Sequence, residues 1–147
     1  MKAPFLIGRI VFGGFFLYNG INHLIKAKEM GSYAESKGVP NGELAVAASG
    51  IPLVAGGASL LLGVKPRYGA LAILGFLAGI SPIMHDFWSR EDPGERQTEM
   101  INFMKNMALA GGALALMGID EPWEASVPAG QHTLSNKMRK IGRTLAA

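Results

Sequence analysis

Cysteine is absent from this chain. That removes disulfides, thiolate nucleophiles, cysteine-ligated zinc and iron–sulfur clusters together. It leaves the compartment open, because a chain without cysteine suits either redox state. Charge is scarce as well. Asp, Glu, Lys and Arg make up 17% of the 147 residues, against 49% apolar residues and 20 glycines. That balance argues against a soluble domain with a solvated polar shell and for a membrane protein of one domain. The net charge of +3 is not read as a nucleic-acid signature. The basic residues stand beside apolar runs, where they anchor to lipid headgroups.

What is present is a series of long apolar runs. They cover residues 4–25, 44–64, 68–84 and 100–119. The second has no charge in 21 residues. At about 1.5 Å per residue it reaches roughly 30 Å, the depth of a hydrocarbon core. A soluble bundle is the competing reading, but a soluble helix keeps a polar face and this run has none. The first run also fits a signal peptide. Arg9 interrupts it, however, and no small-residue cleavage site follows, so it is read as a mature helix. The expected fold is therefore an all-α, integral-membrane four-helix bundle over residues 1–119.

The connections follow from breakers. Lys65-Pro66-Arg67 is a tight turn, which makes its flanking helices antiparallel. Residues 26–43 form a longer loop with a short helix near residues 32–37. Residues 85–99 form a third loop, broken at Asp92-Pro93-Gly94. Eight Lys and Arg fall on the side of the termini and six on the other. That places both termini in the cytoplasm. Residues 120–147 are read as a basic tail, with Leu134, Met138, Ile141 and Leu145 giving it an amphipathic helix on the anionic leaflet.

Lipid supplies no hydrophobic drive between helices, so small residues are expected at their contacts. Gly13 with Gly14, Gly56 with Gly57, Gly75 with Gly79, and Gly111 with Gly112 are the candidates. Pro52 and Pro82 are expected to kink their helices.

Polar residues concentrate at one end. The first run closes with Asn19, Asn22 and His23, spaced three or four residues apart. The third ends at His85-Asp86, followed by Phe87 and Trp88. The fourth opens with Asn102, Lys105 and Asn106, and Ser49 lies at similar depth in the second. Alternating helix direction brings all of these to the outer end, and no comparable cluster is expected at the inner end. Lys105 is read either as snorkelling to the headgroups or as facing inward toward Asp86, Glu99 or a ligand. Trp88 and Phe87 read as an interfacial belt or as a wall over a flat ligand. Arg9 reads as a headgroup anchor. Two histidines and an aspartate match no metal spacing, so no metal site is expected.

At these residues the chain resembles the DoxX family of small four-helix bacterial membrane proteins. The stretches are GRIVFGGFFLYNGINHL, VAGGASLLLGVKPRYGALAIL, HDFW and FMKNMALAGGALAL, within residues 5–117. The resemblance implies a multi-pass protein of the bacterial inner membrane. It also implies association with redox enzymes, since the family is named for a subunit of a thiosulfate:quinone oxidoreductase. Carried over by motif, His85, Asp86, Phe87, Trp88, Lys105 and Asn106 are family positions, with Asn19, Gly20 and His23 on the first helix. Many relatives carry an acidic residue before the glycine pair of the second helix. Pro52-Leu53 stand there in this chain, so no role resting on that carboxylate is carried over.

Two functions follow as expectations. In one, the polar end is a pocket for a quinone, formed from Asn19, Asn22, His23, Ser49, His85, Asp86, Trp88, Asn102, Lys105 and Asn106. No intrinsic cofactor is expected, so a membrane-associated redox enzyme supplies electrons. In the other, the chain is a non-enzymatic scaffold or assembly factor whose loops dock a partner. A transporter is the weakest reading, since no polar face runs the full depth. Membrane lipid is the expected surrounding, and a homo-oligomer is left open.

Overall fold

A computed structural model describes residues 3–127. The proposed amphipathic tail from residue 128 onward lies outside the described residues. Long helices are α1 (Ala3–Ile25), α3 (Gly42–Leu62), α4 (Pro66–Met84) and α5 (Pro93–Met117). A short helix α2 (Ala27–Ser36) follows α1, and a 3-10 turn at Phe87–Ser89 follows α4. Among the described residues, four helical stretches are long and apolar enough to cross a membrane. Their outward faces carry Ile7, Val11, Tyr18, Ile51, Tyr68 and Met104, all exposed. Large side chains of this kind are stable outward only against lipid or another apolar partner.

Two elements differ in extent from the sequence reading. The short helix starts at Ala27 rather than near residue 32. Helix α5 starts at Pro93, well before residue 100. Asp92-Pro93-Gly94 is thus a helix start rather than a break. The Asp92 carboxylate accepts from the Glu95 N–H at 2.8 Å, and Pro93 takes the first turn, where no backbone donor is needed.

Helix packing runs in the order α1, α3, α4, α5, with α2 laid across α3. Helices α1 and α3 are in near backbone contact. A Cβ on Gly57 would lie 2.4 Å from the Leu17 nitrogen, and one on Gly20 2.6 Å from the Val54 nitrogen. Glycine allows that approach, and dispersion then holds the pair. The other expected glycines divide. Gly13, Gly56 and Gly112 sit against a neighbour, whereas Gly14, Gly75, Gly79 and Gly111 face open space. The expectation that Gly75 and Gly79 mark an internal contact is corrected: α4 turns that face outward and buries Ala70, Ile73 and Leu77 instead. Helices α1 and α5 meet sparsely, through Phe12 against Gly112.

The end opposite α2 holds the main departure from expectation. Arg9 is 2% exposed. Its Nη1 donates to the Glu124 carbonyl at 3.0 Å. Its Nη2 donates to the carbonyls of Leu61 at 3.2 Å and Ala125 at 3.1 Å. The guanidinium lies 5.7 Å from the Trp123 ring centre, and Phe5 meets that ring edge-on. Val127 N–H donates to the Leu62 carbonyl at 2.9 Å, so residues 123–127 cross the end of α3 as a strap. Arg9 is therefore a buried clasp and not a headgroup anchor, and this end does carry a polar cluster. A planar guanidinium can bind several carbonyls at once, which a sequence scan for carboxylate partners does not reveal.

Candidate functional site

The α2 end of the bundle holds a half-open cavity of about 490 Å³. Its walls come from α1, α2, α3, α4 and α5. The lining is mainly apolar: Phe15 and Phe16 from α1, Leu53 from α3, Phe76 and Leu77 from α4, and Leu109 from α5. Met30, Tyr33 and Ala34 of α2 cover it from the end. Helix α2 is held there because Gly31 packs on Gly42, and the Glu35 carboxylate accepts the Gly42 N–H at 2.9 Å. Toward the strap, Phe16, Leu53 and Leu60 are fully buried, so the cavity is blind in that direction.

Five of the ten predicted residues line this space: Asn19, His23, Ser49, His85 and Asn106. His23 Nδ1 lies 2.7 Å from Ser49 Oγ, and that hydroxyl donates to the Val46 carbonyl at 2.7 Å. The His23 ring meets Phe76 edge-on. Asn106 Nδ2 donates to Ser81 Oγ at 3.1 Å, and Ser81 donates onward to the Leu77 carbonyl. Asn19 Nδ2 donates to the Phe15 carbonyl at 2.7 Å.

The other five stand elsewhere. Asn22 and Asn102 are half-buried but not part of the lining. Asp86 accepts from Ser89 and Arg90 and closes the loop after α4. Trp88 is 55% exposed and packs with Phe87 and Phe103 in a small aromatic ledge. Lys105 is exposed and forms no ion pair with a described residue. Of the two readings of Lys105, the inward one toward Asp86 or Glu99 is thus replaced, and its exposed position agrees with the outward one. Both carboxylates are taken by groups nearer to them, and the α5 face that carries Lys105 turns outward.

Glu99 instead joins two other elements. Its Oε1 lies 2.6 Å from Lys37 Nζ and its Oε2 lies 2.8 Å from His85 Nδ1. Both Lys37 and Glu99 side chains are 12% exposed. The hydrogen bond to Glu99 holds the Lys37 ammonium above the usual lysine range, and burial opposes that only in part. The ammonium also lies over the Tyr33 ring at 5.6 Å. Lys37 was not among the predicted site residues. Its signal in the sequence is weak, a single lysine in a loop whose docking depends on the Gly31–Gly42 contact. Among the described residues no cluster of three or more His, Asp or Glu has the arrangement of a metal site.

The arrangement combines an apolar chamber with two histidines, each held through Nδ1, and two oriented amides. Pockets of about 300–1,000 Å³ with few polar groups suit a small, largely apolar ligand. The DoxX family profile matches residues 5–86, more than half of the chain. No curated protein and no solved structure gives a significant match.

Proposed function

The chain belongs to the DoxX family, and from that premise we propose that it is a quinone-binding membrane subunit serving a partner redox enzyme. The cavity carries this reading. It is roomy enough for a substituted ring, walled by Phe15, Phe76, Leu77 and Leu109, and supplied with polar groups at His23, His85, Asn19 and Asn106. A scaffold needs no such void. The sparse packing of α1 on α5 would suit entry from lipid, the direction from which a hydrophobic ring arrives. A quinone bound here would bring two-electron redox chemistry. This chain's part is to bind and orient the ring, keep water away from it and hold protons at imidazole nitrogens. Electrons pass to or from a carrier in the partner.

The excess of basic residues on the side of the termini supports a cavity at the periplasmic end, in a bacterial inner membrane. A blind chamber closed by Phe16, Leu53 and Leu60 does not favour a transporter. A second reading, an assembly factor, is favoured by the exposed Trp88 on its ledge with Phe87 and Phe103, which would suit docking by an apolar partner.

Mass spectrometry of protein extracted with its native lipids tests the choice. A quinone-type molecule that co-purifies, and that is lost on His23→Ala without loss of fold, supports the subunit reading. A co-extracted protein with no small molecule transfers support to the assembly factor.

A further inference from the structure

The hydrogen-bond directions around the cavity set which oxidation state of a ring it accepts. A serine hydroxyl has one hydrogen. That of Ser49 goes to the Val46 carbonyl, so its oxygen is left to accept from His23 Nδ1. Neutral His23 therefore carries its hydrogen on Nδ1, and Nε2 is a bare acceptor. The same logic applies to His85. The Glu99 carboxylate only accepts, so His85 donates from Nδ1 and, when neutral, leaves Nε2 as an acceptor. Among the described residues the side-chain hydrogen bonds of both rings run through Nδ1, and both residues line the cavity. Asn106 and Asn19 each spend one N–H within the protein, on Ser81 and Phe15, and keep the carbonyl oxygen. The donors left to a ligand are the second N–H of each amide and the Tyr33 hydroxyl, which sits on a half-exposed residue.

A quinone offers two carbonyl acceptors, while a hydroquinone offers two hydroxyl donors. We infer that the cavity is built for the hydroxyl-bearing, reduced ring, with His23 and His85 as paired acceptors. This rests on the quinone-type ligand proposed above. At either imidazole nitrogen a carbonyl meets acceptor against acceptor, and only the two amide N–H groups and the Tyr33 hydroxyl are left to serve it. A hydroxyl finds a partner at each. Glu99 acts as a positioning residue, because its carboxylate fixes which nitrogen of His85 is bare.

The test is equilibrium binding of a short-tailed benzoquinone and of its benzoquinol to the full chain in lipid nanodiscs, under argon at pH 8. The expected result is at least about tenfold tighter binding of the benzoquinol, the effect of one to two matched hydrogen bonds. His23→Gln and Glu99→Gln should each shrink that ratio, since an amide in place of either group can supply a donor or reverse the imidazole tautomer. Equal binding of the two forms, or tighter binding of the benzoquinone, overturns the inference and leaves the quinone-site reading standing. Failure of both rings to bind the folded wild-type chain overturns both.

Discussion

The Glu99 carboxylate lies 2.6 Å from Lys37 Nζ, tying the segment after α2 to the first turns of α5. The same carboxylate reaches His85 at 2.8 Å through its other oxygen. One acidic side chain thus holds the cover of the cavity and orients one of its histidines.

Removing the charge should loosen both. Glu99→Gln is expected to lower stability by about 1–3 kcal/mol, as for a largely shielded hydrogen bond between charged groups. Denaturant unfolding in mild detergent measures it. The double variant with Lys37→Met should lose less than the sum of the two single losses, because both remove one interaction.

The pair also sets a pH dependence. The Lys37 ammonium is held above its ordinary value of 10.5 when folded. A raised lysine contributes stability in full below the unfolded value and loses it as pH climbs through the folded one. The stability gap between wild type and Lys37→Met should therefore stay level from neutral pH to about 10 and close only above the ordinary lysine range. A gap that closes between pH 7 and 9 would contradict the assignment.

Arg9→Lys is expected to destabilise the chain by about 2–4 kcal/mol, since a single ammonium cannot reach three carbonyls held in a fan. Faster proteolysis within residues 119–127 is the accompanying sign. A residue that merely anchored to headgroups would tolerate lysine.

Gly57→Ala should separate α1 from α3, because its Cβ would lie 2.4 Å from the Leu17 backbone nitrogen. A loss of about 2–3 kcal/mol or more is expected for such overpacking. Gly79→Ala meets nothing within 4 Å and should be neutral or stabilising by up to about 1 kcal/mol through helix propensity. Thermal unfolding of the two variants side by side settles the contrast.

Lys105→Ala should leave ring binding within about twofold of wild type, because the side chain is exposed and outside the lining. Asn106→Leu should weaken binding and also remove the donor to Ser81 Oγ, whose own bond to the Leu77 carbonyl remains. Equilibrium binding of the benzoquinol to each variant distinguishes a cavity at His23 and Asn106 from a site on the outer face of α5.

The four long helices were legible because apolar runs of that length have few other stable forms, and Lys65-Pro66-Arg67 marks the tight connection clearly. The polar end was legible as a region but not as an arrangement. Helical spacing put His23 near Asn19, alternating helix direction put Asn106 at the same end, and the three line one cavity. Lys105 misled because charge inside an apolar run draws attention, while the face it occupies depends on how α5 rotates against α4. Lys37 and Arg9 were missed for a common reason. The partner of Lys37 is 62 residues away and those of Arg9 are 52, 115 and 116 residues away, and Arg9's are backbone carbonyls that no side-chain pattern announces.

Those long separations bear on how the protein is made. Arg9 enters the bilayer with the first helix, when its carbonyl partners at Glu124 and Ala125 have not been synthesised. A guanidinium in that position is costly and is relieved by snorkelling or local water until relief comes from within the protein. Helices α3, α4 and α5 must all be threaded before residues 123–125 can reach it. The first helix is thus completed last, and a chain interrupted before the strap would carry an exposed positive charge in its opening span, a mark by which quality control could tell an unfinished molecule from a finished one.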